Sequence, residues 1–137
     1  MAGFDIFDIA GSGMSAQSVR LNTVASNLAN ADSVSSDPNS VYQAKHPVFQ
    51  AVMGSGENAS EASVKVAGIA QSQAAAEARY DPGNPLADAQ GYVYAPGVNV
   101  VEEMTDMISA SRSYQNNVEV LNTARDMMLA TLKLGQS

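Results

Sequence analysis

Few side chains here have the type and spacing for covalent chemistry. The single histidine, His46, stands beside Pro47 in a loop-like region and reads as a surface residue. With no cysteine there is no thiolate to serve as nucleophile or soft metal ligand. Carboxylates gather only at Glu102, Glu103 and Asp106, spaced as in the first turns of a helix. The positive helix end accounts for them better than metal binding or acid–base work. Gly11-Ser12-Gly13 resembles a phosphate loop only superficially, since no strand precedes it and no lysine follows at the required place. Asn58-Ala59-Ser60 matches a glycosylation triplet, a pattern common by chance. The expectation is no enzymatic activity, with no catalytic, cofactor-binding or metal-ligating residue.

The elements that organise the chain lie at its two ends. From Asn99 to Leu134, seven-residue spacing places Val100, Met107, Tyr114, Leu121 and Met128 in one row. A second row holds Met104, Ser111, Val118, Arg125 and Leu132. Such rows make one seam of a long amphipathic helix. From Phe7 to Ala31, the rows are Phe7, Met14, Leu21, Leu28 and Ala10, Gln17, Val24, Ala31. The matching stripes predict a mainly α fold in which N- and C-terminal helices pair as an antiparallel coiled coil. Residues 1–33 and 97–137 together would form that helical domain, and 34–96 a loop and small β-rich insert.

Composition narrows the function classes. Of 137 residues, 45% are apolar, enough for one domain with some core, while only 15% are charged, well below about 25% in an average soluble domain. Between Asp8 and Asp32 the only charge is Arg20, and Ser109 to Val118 contains only Arg112. The outward faces carry Ala, Ser, Thr, Asn and Gln instead, residues that tolerate burial against another protein. A net charge of −7 without any basic run argues against nucleic acid and anionic lipid. No stretch approaches the ~20 apolar residues of a membrane span. A cleaved secretory signal is not expected, because the start lacks a basic n-region and an apolar h-region.

Along the chain, Asp5 is expected to cap the first helix. Gly11 and Gly13, each costing about 1 kcal/mol in a helix interior, mark either a frayed or kinked first turn or the close approach of a neighbouring subunit. Asn27 and Asn30 share a face. Asn30 can simply end the helix, or the two amides can bond another helix and fix its register. Ser33 to Ser40 reads as loop, and Val41 to Val52 as an edge strand or two pieces broken at Pro47. Gly54-Ser55-Gly56 reads as an exposed link and Ser63 to Ile69 as a second strand. Pro82-Gly83 predicts a type II turn with positive φ at Gly83, flanked by a strand pair at Tyr80 and Tyr92-Val93-Tyr94. Asn99 and Glu102 resemble a capping box, and Lys133 suits the negative helix end. The longer helix would leave part of its seam without a partner in its own chain. A marginal single chain completed by assembly is therefore expected, with Met104, Met107, Met127 and Met128 as adaptable packing residues.

The residues also carry a resemblance. Ala25-Ser26-Asn27-Leu28-Ala29-Asn30-Ala31-Asp32-Ser33 resembles the N-terminal signature of bacterial flagellar rod and hook proteins. Ser109 to Thr123, containing Ser113-Tyr114-Gln115-Asn116-Asn117, resembles their C-terminal signature. The start Asp5 to Ser12, the turn Pro82 to Ala89 and the end Leu132 to Gln136 are similar to the proximal-rod members. Likeness is weakest from Val52 to Ala78.

What the resemblance implies is a structural subunit of the basal-body rod, exported unprocessed through the flagellar type III apparatus. It would polymerise into the shaft that carries torque across the periplasm and surrounds the export channel. Implied partners are copies of itself, the other proximal-rod subunits, the adaptor at the base and the distal-rod protein; no cofactor, nucleic acid or lipid is expected. Helix pairing and assembly are expected from Phe7, Met14, Leu21, Val24 and Leu28 against Val100, Met107, Tyr114, Val118 and Leu121, with Met104, Met128 and Leu132 on the same stripes. Asn27, Asn30, Arg112, Asn117 and Arg125 are expected to supply polar contacts between subunits. A distal-rod or hook subunit would carry a longer insert, and a generic coiled-coil adaptor would not share the matched ends.

Overall fold

The computed structural model describes residues 2–53 and 62–135. The Gly54-Ser55-Gly56 link, the Asn58-Ala59-Ser60 triplet and Gln136 lie outside the described residues. Two long helices dominate, α1 (Ala2–Asn30) and α2 (Val100–Leu134). Between them run β1 (Lys45–Met53), β2 (Ala62–Gln71), β3 (Glu77–Tyr80) and β4 (Tyr92–Ala95). The chain is thus mainly α with short antiparallel strands, in two two-stranded sheets, β1–β2 and β3–β4.

Helix α1 begins before Asp5, which sits inside its first turn rather than capping it. It runs unbroken through both glycines. Gly11 has open space where a Cβ would project, whereas a Cβ on Gly13 would lie 2.8 Å from the Asn117 amide nitrogen of α2. The close approach at Gly13 is therefore made within the chain. At the far end, Ser33 N–H and its hydroxyl both donate to the Asn30 carbonyl, at 3.1 and 2.7 Å. The Asn30 amide turns back to the Ser26 carbonyl at 2.8 Å. Short polar side chains thus satisfy the last carbonyls. Helix α2 starts at an Asn99 cap whose Oδ1 accepts from Val101 and Glu102 N–H.

The helices run side by side in opposite directions. Asn27 bonds Glu103, Gly13 meets Asn117, and Ile6 shares a groove with Ala124. Residue n of α1 thus faces residue 130 − n of α2. On that register α1 runs out opposite Met128, and Leu129 to Leu134 of α2 overhang it.

In β1, Pro47 stands opposite Ile69 without breaking the strand. A two-stranded ribbon leaves each strand an edge, so the missing donor is tolerated. The register shifts at Val48/Phe49, a bulge. The ribbon lies along α1, with Val64 N–H donated to the Ser12 hydroxyl at 3.1 Å. In the smaller sheet, Tyr80 and Tyr92 meet edge to face with centroids 5.3 Å apart. Asn84 N–H closes the Pro82-Gly83 turn on the Asp81 carbonyl, but the positive φ, +84°, belongs to Gly91 and not to Gly83. A Cβ on Gly91 would stand 3.0 Å from the Tyr80 ring and 3.2 Å from Pro82.

Among the described residues the buried apolar set is Ala10, Ala16, Val24, Ala44, Val93, Ala95, Ala110 and Ala124, with Pro96. No Leu, Ile, Met or Tyr within residues 5–53 and 62–135 is buried, nor is Phe7 or Phe49. Gly91→Ala should cost about 1–2 kcal/mol from strained φ and contact, while Gly11→Ala should gain up to about 1 kcal/mol of helix propensity. Urea denaturation of the two variants checks both signs.

Candidate assembly site

Asn27 lies at 0% exposure on α1, and its carboxamide is bonded on every side. Nδ2 donates to the Lys45 carbonyl at 2.9 Å and to Glu103 Oε2 at 3.0 Å. Oδ1 accepts from the Tyr42 hydroxyl and Lys45 N–H, each at 2.8 Å. That is the full capacity of a carboxamide. The Tyr42 hydroxyl also meets Ser26 Oγ at 3.0 Å. One side chain therefore ties α1 to α2 and to the segment entering β1. Glu103 is only 5% exposed and sits in the first turns of α2, where the helix end favours a carboxylate. One turn along, Arg20 pairs with Asp106 at 2.7 Å. Both are partly solvated, so this pair orients more than it stabilises.

Every hydrogen bond that the Asn27 carboxamide can make is used inside its own chain, which leaves none over for the expected contact between subunits. Asn30 is engaged with Ser26, and Asn117 lies against Gly13 in the helix seam. Arg112 and Arg125 are exposed. Of the apolar stripes, Val24 is buried, while Phe7, Met14, Leu21, Leu28, Met107, Tyr114, Val118, Leu121 and Met128 are half-buried. Val100, Met104 and Leu132 are 42%, 53% and 63% exposed, the most open apolar members of those stripes. The buried row of α2 is instead Glu103, Ala110 and Ala124, displaced by one residue from the row of Met104. Small side chains let the helices approach closely and leave the larger ones on the flanks. Sequence reasoning misses Arg20, Tyr42, Asp106 and the partnership of Glu103; a lone charge on a long uncharged helix is the legible sign for Arg20.

A second polar cluster stabilises the small sheet. The Asp88 carboxylate accepts from Tyr92 N–H and Gln90 N–H, each at 2.9 Å, and from the Tyr94 hydroxyl at 3.1 Å. The Tyr92 N–H foremost, helped by Gln90 and Tyr94 against partial desolvation, holds the Asp88 pKa below its ordinary value. The same carboxylate pushes the Tyr94 phenol above its own. Ser35 bridges to Tyr94 through two backbone bonds of 2.9 Å, fastening this sheet to the segment after α1. Among the described residues no group of His, Cys, Asp or Glu is arranged to hold a metal, and no helix is long and apolar enough to cross a membrane.

Part of what lies open is apolar. Val101, Met104 and Ile108 follow one another at helical spacing on the outer face of α2, at 72%, 53% and 56% exposure. Ile6, Val120 and Met127 line a groove near the other end, beside the overhanging Leu129 and Leu132.

Comparison with known proteins gives consistent matches. Residues 7–35 fit the family model described as flagella basal body rod protein, and residues 89–134 that of the flagellar basal body rod FlgEFG protein C-terminal region. Over 136 residues the chain is 59% identical to the flagellar basal-body rod protein FlgC of Escherichia coli O157:H7, covering 99% of this chain and 100% of that one. It is 57% identical to that of Salmonella typhimurium with the same coverage. With that of Aquifex aeolicus it is 42% identical over 130 residues, 95% of each chain.

Asn27→Ala should cost about 3 kcal/mol, since Glu103 and the Lys45 backbone lose buried partners, and Asn30→Ala about 1 kcal/mol or less. Equal losses in urea denaturation would contradict the assignment. The pH dependence has a definite sign. The depressed Asp88 pKa gives stability that is present at neutral pH and lost as pH falls through that value. The raised Tyr94 pKa gives stability kept below the ordinary phenol value and lost as pH rises through the raised one. Asp88→Asn should abolish the acid-side step in the near-ultraviolet tyrosine dichroism.

Proposed function

The chain belongs to the FlgC family of flagellar basal-body rod proteins, and on that footing we infer that it acts as a structural subunit of the bacterial flagellar rod. The observation that carries the reading is the set of large apolar side chains left bare on α2, led by Val101, Met104 and Ile108. On a protein whose relatives build a shaft, neighbouring subunits are the natural cover for such a face.

In this reading, residues 1–33 and 97–137 form a terminal unit that pairs as an antiparallel coiled coil near the shaft's axis, around the export channel. The heptad rows and the antiparallel register support it. Residues 34–96 form the insert outside it. Val100, Met104 and Leu132, exposed in the single chain, pack against neighbours, and Arg112 and Arg125 add polar contacts between subunits. Those neighbours are copies of this chain, the other proximal-rod subunits, the adaptor at the base and the distal-rod protein. The subunit reaches the basal body through the flagellar type III apparatus without a cleaved signal, and its part of the rod crosses the periplasm. It transmits torque and catalyses nothing. Transmission requires subunits that do not slide, which places the emphasis on shape and register.

Ile108→Asp tests the open face. Because Ile108 is already exposed, the isolated variant should keep its helix content and melting behaviour within about 0.5 kcal/mol. Swimming in soft agar should be abolished, with incomplete rods in electron micrographs of basal bodies. Normal swimming of that variant would overturn the reading. Leu121→Asp, half-buried in the helix pair, should lose assembly and helix stability together while the chain is still exported.

A further inference from the structure

Apolar rows that repeat every seven residues do not by themselves say which turn of α1 faces which turn of α2. A slide of seven residues lays similar rows on one another again. In one direction it would bring Arg20 opposite Glu103, an electrostatically acceptable alternative. In the other it would bring Asn27 opposite Ala110, which has no acceptor to offer. The seam is lined by alanine and glycine, so steric interlocking of large side chains is weak.

We propose that Asn27 sets the axial register of the helix pair, holding Glu103 on one side and the main chain of Lys45 on the other so that neither slide is tolerated. Either slide takes Glu103 away from Asn27 and leaves a buried amide donor short of a partner, the costly outcome for a polar group out of water, and only one of them offers the carboxylate a substitute, in Arg20. The Lys45 bonds matter because they fix Asn27 to the insert. Helix α2 is thereby indexed against the β1 end of the insert as well as against α1. Gly13 supplies a second rung, since its missing Cβ makes the space that the Asn117 amide occupies. A slide would set Asn117 against Ile6 or Arg20 instead.

Spin labels read the register directly. The chain has no cysteine, so cysteines introduced at exposed Asn22 and Thr123 label uniquely, and the two positions are well offset along the pair. A seven-residue slide changes their axial separation by about 10 Å. The otherwise unaltered labelled chain should give one distance, and Glu103→Gln, which keeps an acceptor for Asn27, should keep it. Asn27→Leu/Glu103→Leu should add a second population displaced by that amount. If the leucine pair shows no helix by circular dichroism, Glu103→Ala is read the same way, because Asn27 then keeps its bonds to Tyr42 and Lys45. A residue that merely stabilises would lower the melting temperature and leave one distance. A single native distance in the folded variant overturns the proposal.

Discussion

With both amide hydrogens donated and both lone pairs of its oxygen occupied, Asn27 joins three segments far apart in sequence at one buried point. Hydrogen bonds of this kind contribute little net when water can replace them, but their absence in a buried place is expensive. The geometry of the chain follows from that asymmetry. Helix α1 cannot pair with α2 in another turn, and the segment entering β1 cannot detach, without stranding polar atoms. The Arg20–Asp106 pair and the Gly13–Asn117 contact sit on the same helical face of α1, seven and fourteen residues earlier, and agree with it.

Around that point the packing is thin. The covered side chains are mostly alanine, whose burial brings little hydrophobic gain each, while leucines, isoleucines and methionines lie half or fully open. A protein working alone would gain little from such an arrangement. In a rod subunit the two roles separate. A small specific interior holds the shape, and in the proposed assembly neighbouring chains would cover the open apolar side chains. The low charge along α1, where Arg20 is the only charge between Asp8 and Asp32, fits the same division.

Much of this is legible from residue pattern. Two helices at the ends, the tyrosine strand pair and the Asn99 cap all follow from periodicity and local chemistry. What pattern cannot supply is which of two adjacent rows faces inward. Side-chain size makes the row of Met104 look like the seam, but close helix approach favours the smallest side chains, and Glu103, Ala110 and Ala124 take that place. Asn27 reads from the sequence as a register-fixing amide, yet its partners lie in its own chain and not in another subunit. Two of them, Tyr42 and Lys45, come from a segment whose path depends on the tertiary fold. Gly83 likewise obeys a local turn rule less well than Gly91, whose positive φ is required where the chain re-enters beside Tyr80.

The edges of the β1–β2 ribbon bear on how the chain behaves at high concentration. Two unpaired strand edges with apolar side chains would ordinarily template runaway strand recruitment between molecules. Pro47 deletes one donor from β1, and the bulge at Val48/Phe49 breaks the even spacing that an incoming strand would need. On β2, the Val64 amide is already given to Ser12. These local irregularities protect the ribbon against fibrillar misassembly.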